Sequence, residues 1–424
     1  MGRYRVKIVV TAVGERLPLL LGSDGVPIWG ATVFALTELR ARNRAASTIE
    51  NVLRAIMVFQ MFLDQQKIDL EQRISCGRIL GLNEVEDLVR ICRLPVEDIE
   101  RDHSGNIVQK LQASNLPLEH YRSRGSGSRG KEIVPAFSAT RLRCIRDYLK
   151  WLVSNRISRL DANNDARSAL EVANRLVAEA IDARLPPAAS RGLLTGREGL
   201  DPKDLSELLR VVDQNSPDNP WQDEHSRSRN ELILLWLYYL GLRRGELLGV
   251  CVSDIDFRKG TVVIARRADD KDDPRKRQPN AKTRAREIPL SSELLDKTSK
   301  YIMDLRAKQS GARKHGFLFV SSDTGAPLSI PAFSKIFVVL REKNKNLPRN
   351  LFAHLLRHSW NDRFSEEMDR RNVAEETEKK MRSYLMGWSE TSGTAATYTR
   401  RHIRKKAEQA SLSMQGQILN GGNK

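Results

Sequence analysis

The sequence predicts a mainly α-helical chain with one small antiparallel β-sheet, divided into two domains. Three observations carry this reading. Apolar residues recur at helical intervals through residues 31–183. A Pro/Gly/Ser stretch, Leu185-Pro-Pro-Ala-Ala-Ser-Arg-Gly192, then breaks the periodicity. Beyond it, two short β-rich runs flank a long polar loop among further helices.

In chain order, residues 1–30 read as an N-terminal extension with one strand, in which Val6, Ile8 and Val10 share a face. Residues 31–185 read as a helical bundle. A first helix over about Ala31 to Arg44 ends in Arg40, Arg42 and Arg44. A second starts at Ser47, where Ser47 and Glu50 have capping-box spacing and Ile49, Leu53, Ile56 and Leu63 share a face. A third lies near Asn83 to Cys92. The stretch Arg122 to Lys131 is rich in Gly and Ser, and Arg122, Arg124, Arg129 and Lys131 suit it to phosphate. It reads equally well as a plain exposed loop. Ser138 opens the next helix, with Leu142, Ile145, Leu149 and Leu152 inward and Arg141, Arg143, Arg146 and Lys150 outward. Another runs from Asp165 to Ala183.

Residues 186–424 form the second domain. Asp201 caps a helix whose first position is Pro202. An apolar helix over Glu231 to Leu240 stops at Gly241, and a new helix starts in Gly241-Leu-Arg-Arg-Gly-Glu-Leu-Leu248. Strands are expected over Thr261 to Ala265, Arg286 to Leu290 and Phe317 to Val320. The intervening loop holds Lys271, Arg275, Lys276, Arg277, Lys282 and Arg284. A tail helix over about Arg400 to Leu412 carries Arg400, Arg401, Arg404, Lys405 and Lys406.

Composition narrows the partners. Lys and Arg number 71 against 53 Asp and Glu, a formal charge of +18. That excess favours a polyanion, and nucleic acid is the commonest. No run long enough to span a bilayer and no signal peptide is apparent, which argues against a membrane. Cys76, Cys92, Cys144 and Cys251 form no Cys-x-x-Cys pair, so they read as buried thiols in a reducing cytoplasm and not as zinc ligands.

The residues that carry chemistry lie mainly between Ala353 and Arg401. His354 and Arg357, three apart, share a helix face. Gly387-Trp388 and then Tyr398, followed by Thr399-Arg400-Arg401, complete a base, a cation, an indole donor and a phenol. His354 and His358 are spaced like zinc-binding helix ligands, but Leu355 stands where that motif needs Glu, so no metal is expected.

In order, Gly241-Leu242-Arg243 with Glu246, Lys282-Thr283, His354-x-x-Arg357-His358, Gly387-Trp388 and Tyr398 resemble the signature of the tyrosine recombinases, the phage integrase family. The resemblance covers residues 200–412, and the helical first domain resembles the family's core-binding domain only in pattern and position. It implies a two-domain tyrosine recombinase architecture: a helical core-binding domain and a mixed α/β catalytic domain with a C-terminal tail helix. It also implies a site-specific recombinase or integrase, of a mobile element, that cuts and rejoins double-stranded DNA through a 3′-phosphotyrosyl link. No cofactor is implied. The working unit would be a homo-tetramer, with accessory DNA-binding proteins as further partners, at the bacterial or phage-type nucleoid.

In that reading Arg243 and Arg357 hold the non-bridging oxygens, as planar bidentate donors do. Glu246 steadies Arg243. Lys282 protonates the leaving 5′ oxygen, with Lys271 and Lys276 as rivals. His354 accepts the phenol proton or bonds the phosphate, and His358 packs behind it. Trp388 stands where many members have His and donates one hydrogen bond. Tyr398 is the nucleophile, with Tyr384 and Tyr301 as rivals. Arg275, Lys276 and Arg277 are expected on DNA. Two other readings stay open: a monomeric type IB topoisomerase-like strand transferase, and a catalytically silent DNA-binding regulator.

Overall fold

In the computed structural model, the residues described are 3–102, 132–161, 163–187, 199–281, 283–389 and 391–421. Arg122, Arg124, Arg129, Lys131, the stretch Ala188–Gly192 and Lys282 lie outside them, as do the side chains of Arg400, Arg401, Arg404 and Lys405. The chain is mostly helical with small antiparallel sheets, as the periodicity predicts. It divides into two compact units, Met1–Thr11 with Arg16–Ser190, and Ala12–Glu15 with Arg191–Lys424.

The first unit opens with a hairpin where the sequence suggested one strand. Strands β1 (Arg5–Val10) and β2 (Arg16–Leu21) pair antiparallel from Arg5↔Leu21 to Val10↔Arg16. Val6 and Ile8 are half-buried, but Val10 is exposed near the turn. Helices α1 (Trp29–Phe34, extended by a π-turn to Arg40), α2 (Ala46–Gln65), α3 (Leu70–Ser75), α4 (Leu82–Ile91), α5 (Val96–Asp102), α6 (Pro135–Ile157) and α7 (Asp165–Ala183) follow. The core gathers on α2, which packs on α6, and α6 packs on α7. Two expected caps are not made. Helix α2 starts at Ala46, one residue early, so Ser47 sits inside the first turn and Glu50 is buried against Arg54 at 2.9 Å. Helix α6 starts with Pro135 in its first turn, which carries Ser138 into the core. Cys76 is exposed, not buried as expected, and Arg146 is tied to Asp147 and Asp182.

The second unit is built on α9 (Glu224–Leu240), which α8 (Pro202–Val212), α11 (Ser292–Lys300) and α13 (Ala353–Arg370) pack against. Asp201 caps α8 by accepting from Lys203 N, and Asp223 caps α9 by accepting from Ser226 N at 2.7 Å. Helix α9 ends at Gly241 with φ +60°, the left-handed backbone that glycine adopts freely, and α10 (Arg244–Leu248) follows at once. Strands β3 (Ile255–Asp256), β4 (Thr261–Ile264) and β5 (Arg286–Pro289) form an antiparallel sheet in that order. Phe317–Val320 is buried as expected but makes only single bridges, Cys251↔Phe317 and Val320↔Pro327, instead of a strand. Helices α12 (Ile330–Lys343), α14 (Glu375–Met386) and α15 (Gly393–Gly421) complete the unit. The tail helix begins at Gly393 and not at Arg400, so Tyr398 lies within its second turn. Among the described residues, no helix is long and apolar enough to cross a membrane.

Candidate active site

Helix α13 sets the site. Positions 354, 357, 358 and 361 share one face by helical spacing. Arg357 is only 1% exposed and donates to Gly241 O at 2.6 Å and to Met386 O at 3.3 Å. Those carbonyls close helices α9 and α14, and each helix is stopped by a left-handed glycine, Gly241 and Gly387. Two helix ends, each short of partners for its last carbonyls, thus converge on one guanidinium. The Arg357 guanidinium also lies 5.4 Å from the Trp388 ring centre.

Glu246 is the anion of the cluster. In the first turn of α10 it caps its own helix by accepting from Arg243 N at 2.8 Å. Its carboxylate also meets Arg286 at 3.1 and 3.3 Å, the Thr283 hydroxyl, Arg357 at 3.6 Å and Arg243 Nη1 at 3.8 Å. Burial alone pushes this carboxyl up, but Arg286 and Arg357 overcome it and hold it below the ordinary glutamate range. Burial pushes the Arg357 guanidinium down, with Arg243 adding to it and Glu246 opposing. Three guanidiniums, Arg243, Arg286 and Arg357, therefore face one carboxylate here, leaving about two positive charges uncompensated. Such a pocket favours a dianionic or spread negative charge.

Among the described residues, Arg243 Nη1, Arg357 Nε and the Trp388 indole N–H in this pocket have no hydrogen-bond partner. Trp388 is stacked on Tyr398, the ring centres 5.7 Å apart and the planes 9° from parallel. The Tyr398 hydroxyl hydrogen-bonds His358 Nδ1 at 2.9 Å. Burial pushes this phenol up, with Arg357, Arg243 and Arg382 pulling against it, so it stays protonated at neutral pH. His354 is exposed, its ring 4.5 Å from that of His358.

The structure therefore brings together Arg243, Glu246, Arg357, His358, Trp388 and Tyr398, with His354 alongside. It departs from the sequence reading in which histidine meets the phenol. His358 does so, because it lies on the inner face of α13, one turn beyond the exposed His354. The rival tyrosines lie elsewhere. Tyr384 is 61% exposed on α14, and Tyr301 is fully buried with its hydroxyl on His225 Nε2 at 3.3 Å.

Arg275 is a correction. It does not present its charge to DNA. Its guanidinium is 8% exposed, forked onto buried Asp273, donates to Leu248 O and Leu328 O at 3.0 Å each, and stacks over Phe317. Lys276 and Arg277, its neighbours, are exposed, as is Lys271.

Sequence reasoning missed Arg286, Thr283 and Arg382. Arg286 occupies an inward position of β5, whose residues alternate buried and exposed. An inward charge on a strand demands a partner, and that was the available signal. Besides Glu246, it donates to Leu385 O at 2.6 Å and so ties β5 to α14. Arg382, fully buried, links α14 to α13 through Asn361 and Ser365, pairs with Glu378 of its own helix, and lies 5.9 Å from the Tyr398 ring centre.

A model of the phage integrase family matches residues 198–404. Tyrosine recombinase XerD of Halalkalibacterium halodurans is 30% identical over 132 residues, which cover 31% of this chain and 39% of that protein. Tyrosine recombinase XerC of Proteus mirabilis is 22% identical over 303 residues, covering 70% of this chain and 82% of that one. The chain thus spans well under half of the XerD relative it matches. Among solved structures, XerH site-specific recombinase bound to a palindromic difH substrate aligns at 15% identity and TM-score 0.40, over 79% of this chain and 85% of that one. Residues 198–404 of this chain are therefore a phage integrase family domain, similar to the tyrosine recombinases.

Proposed function

We propose that this chain is a site-specific DNA recombinase or integrase that cuts one strand of duplex DNA, holds it as a 3′-phosphotyrosyl ester on Tyr398, and reseals it to a new 5′ hydroxyl. The observation that carries this reading is the convergence of the Tyr398 phenol with a net positive pocket whose Arg243 Nη1 and Trp388 indole donors have no hydrogen-bond partner among the described residues. Arg243 and Arg357 hold the non-bridging oxygens as charge builds on them, and Trp388 adds one neutral donor. Glu246 and Arg286 fix Arg243 and Arg357 in place. His354 bonds the phosphate from the exposed side, and Lys282 protonates the leaving 5′ oxygen. Storing the phosphodiester energy in a covalent ester removes the need for a nucleotide to drive resealing.

Lys276, Arg277 and the basic stretch Arg122–Lys131 supply phosphate contacts. The working unit is a homo-tetramer on two sites, with accessory DNA-binding proteins as further partners, and the substrate is the end of a mobile element at the nucleoid. The relatives named above are recombinases of the same family, which supports this reading.

The test uses nicked duplexes carrying the sequences that flank the gene. Wild type should give a protein–DNA covalent adduct and then joined products. Tyr398→Phe should bind the same duplex within a few-fold and give no adduct. Joined products from Tyr398→Phe would refute the proposal.

A further inference from the structure

We infer that His358, not His354, takes the proton from Tyr398 as the phenol attacks and returns it when the strand is resealed. The inference rests on the reading of Tyr398 as nucleophile and deepens it by naming the base. The hydrogen bond from Tyr398 Oη to His358 Nδ1 is 2.9 Å long, within reach for direct proton transfer, and both groups are buried. The phenol is protonated at neutral pH, so attack requires an acceptor at this oxygen. His358 is held against it: it is on the inner face of α13, its ring lies 5.6 Å from the phenol ring and tilted 43° to it, and the neighbouring Arg357 is locked by two helix-end carbonyls. His354 stacks edge-on against His358 from the exposed side, a position suited to phosphate.

The O–H bond of Tyr398 breaks, its electron pair forms the new O–P bond, and the proton forms an N–H bond at His358 Nδ1, giving an imidazolium. The P–O5′ bond breaks, and the leaving oxygen takes its proton from the separate acid, Lys282. On resealing, the 5′ hydroxyl attacks as its proton passes back to Lys282, the P–Oη bond breaks, and the imidazolium returns its proton to Oη. The charged and titratable groups around His358 are His354 and Arg357 on α13, Arg243 and Glu246 at α10, Arg286 on β5, Arg382 on α14 and Tyr398 on α15. Histidine is the side chain whose ordinary charge change falls between pH 5 and 8, so a loss of activity within that window is assigned through the two histidine variants below.

The experiment measures single-turnover cleavage against pH on a substrate whose bridging 5′ oxygen is sulfur, which leaves without an acid. Wild type should lose rate as pH falls. His358→Asn keeps an acceptor near the Nδ1 position but cannot take a proton. It should cleave about 10²–10⁴-fold more slowly and, with no acid limb, rise with hydroxide. His354→Asn should keep the acid limb. Wild-type rate and limb in His358→Asn, or loss of the limb in His354→Asn alone, would overturn the assignment. Absence of any adduct in wild type would instead overturn the nucleophile reading. Should His358→Asn fail to fold, imidazole-nitrogen NMR of wild type and Tyr398→Phe decides. One histidine Nδ1 should change from hydrogen-bonded acceptor to unbonded, and no change in any histidine would refute the contact.

Discussion

Two neighbouring basic residues that look alike in sequence have opposite fates. Arg275 is sealed between Asp273, two carbonyls and Phe317, while Lys276 beside it faces solvent. Arg275→Ala would take the guanidinium from buried Asp273, which costs about 3–5 kcal/mol. Lys276→Ala should leave stability within about 0.5 kcal/mol and weaken only DNA binding. Urea unfolding of the two variants separates these outcomes, and equal stability would contradict the clamp. Nothing local in Asp-Pro-Arg-Lys-Arg distinguishes the two, because burial is decided by Leu248, Phe317 and Leu328, far along the chain. Arg243, Arg357 and Tyr398, which the structure brings near one another, were legible because they stand in the chain order of the motif the sequence resembles. Glu246 supplies a pH prediction. Its carboxyl is held below the ordinary range, so its stabilisation is present above the unfolded glutamate value near 4.3 and lost as pH falls through the lower folded value. Glu246→Gln should flatten that acid-side loss in a pH series of unfolding midpoints, and an unchanged acid slope would contradict the hub.

At the level of elements, the stops were more legible than the starts. Gly241 was legible as the end of a helix because only a left-handed residue closes α9 there. Gly387 does the same for α14, with φ +64°, and a Cβ there would fall 2.7 Å from Arg286 Nη1 and 2.9 Å from Arg284 O. Gly387→Ala should cost about 1–3 kcal/mol from backbone strain alone. It should also displace Trp388 and so lower cleavage more than its stability loss explains. Full activity at the permissive temperature would argue that Trp388 is not held by this turn. Ser47 and Ser138 misled because serine in a first turn and serine at a cap have the same sequence context. The start of α15 was misplaced because Thr391-Ser-Gly-Thr394 reads as a loop, whereas the helix already runs from Gly393. It is held to α13 by His402 and Lys406 on Asp369, the latter at 2.6 Å.

Across the whole molecule, the mainly helical class followed from periodicity, while the short sheet and its long connection depended on pairing that alternation alone does not specify. Each unit has its own apolar cluster, one gathered on α2 and the other on α9. A polypeptide from residue 192 onward should therefore unfold cooperatively in a melt, and a molten, non-cooperative trace would show that this core is incomplete alone. The excess of 71 basic over 53 acidic residues predicts DNA affinity that falls steeply with salt, by about 0.9 log units per log unit of salt for each phosphate contact. The central claim, however, is a single covalent bond. Trapping wild type on a nicked duplex and sequencing the DNA-linked peptide by mass spectrometry tests it most directly. The account predicts one nucleotide-bearing residue, Tyr398, joined through a 3′ phosphate. A link on Tyr384 or any other residue, or through a 5′ phosphate, would contradict it.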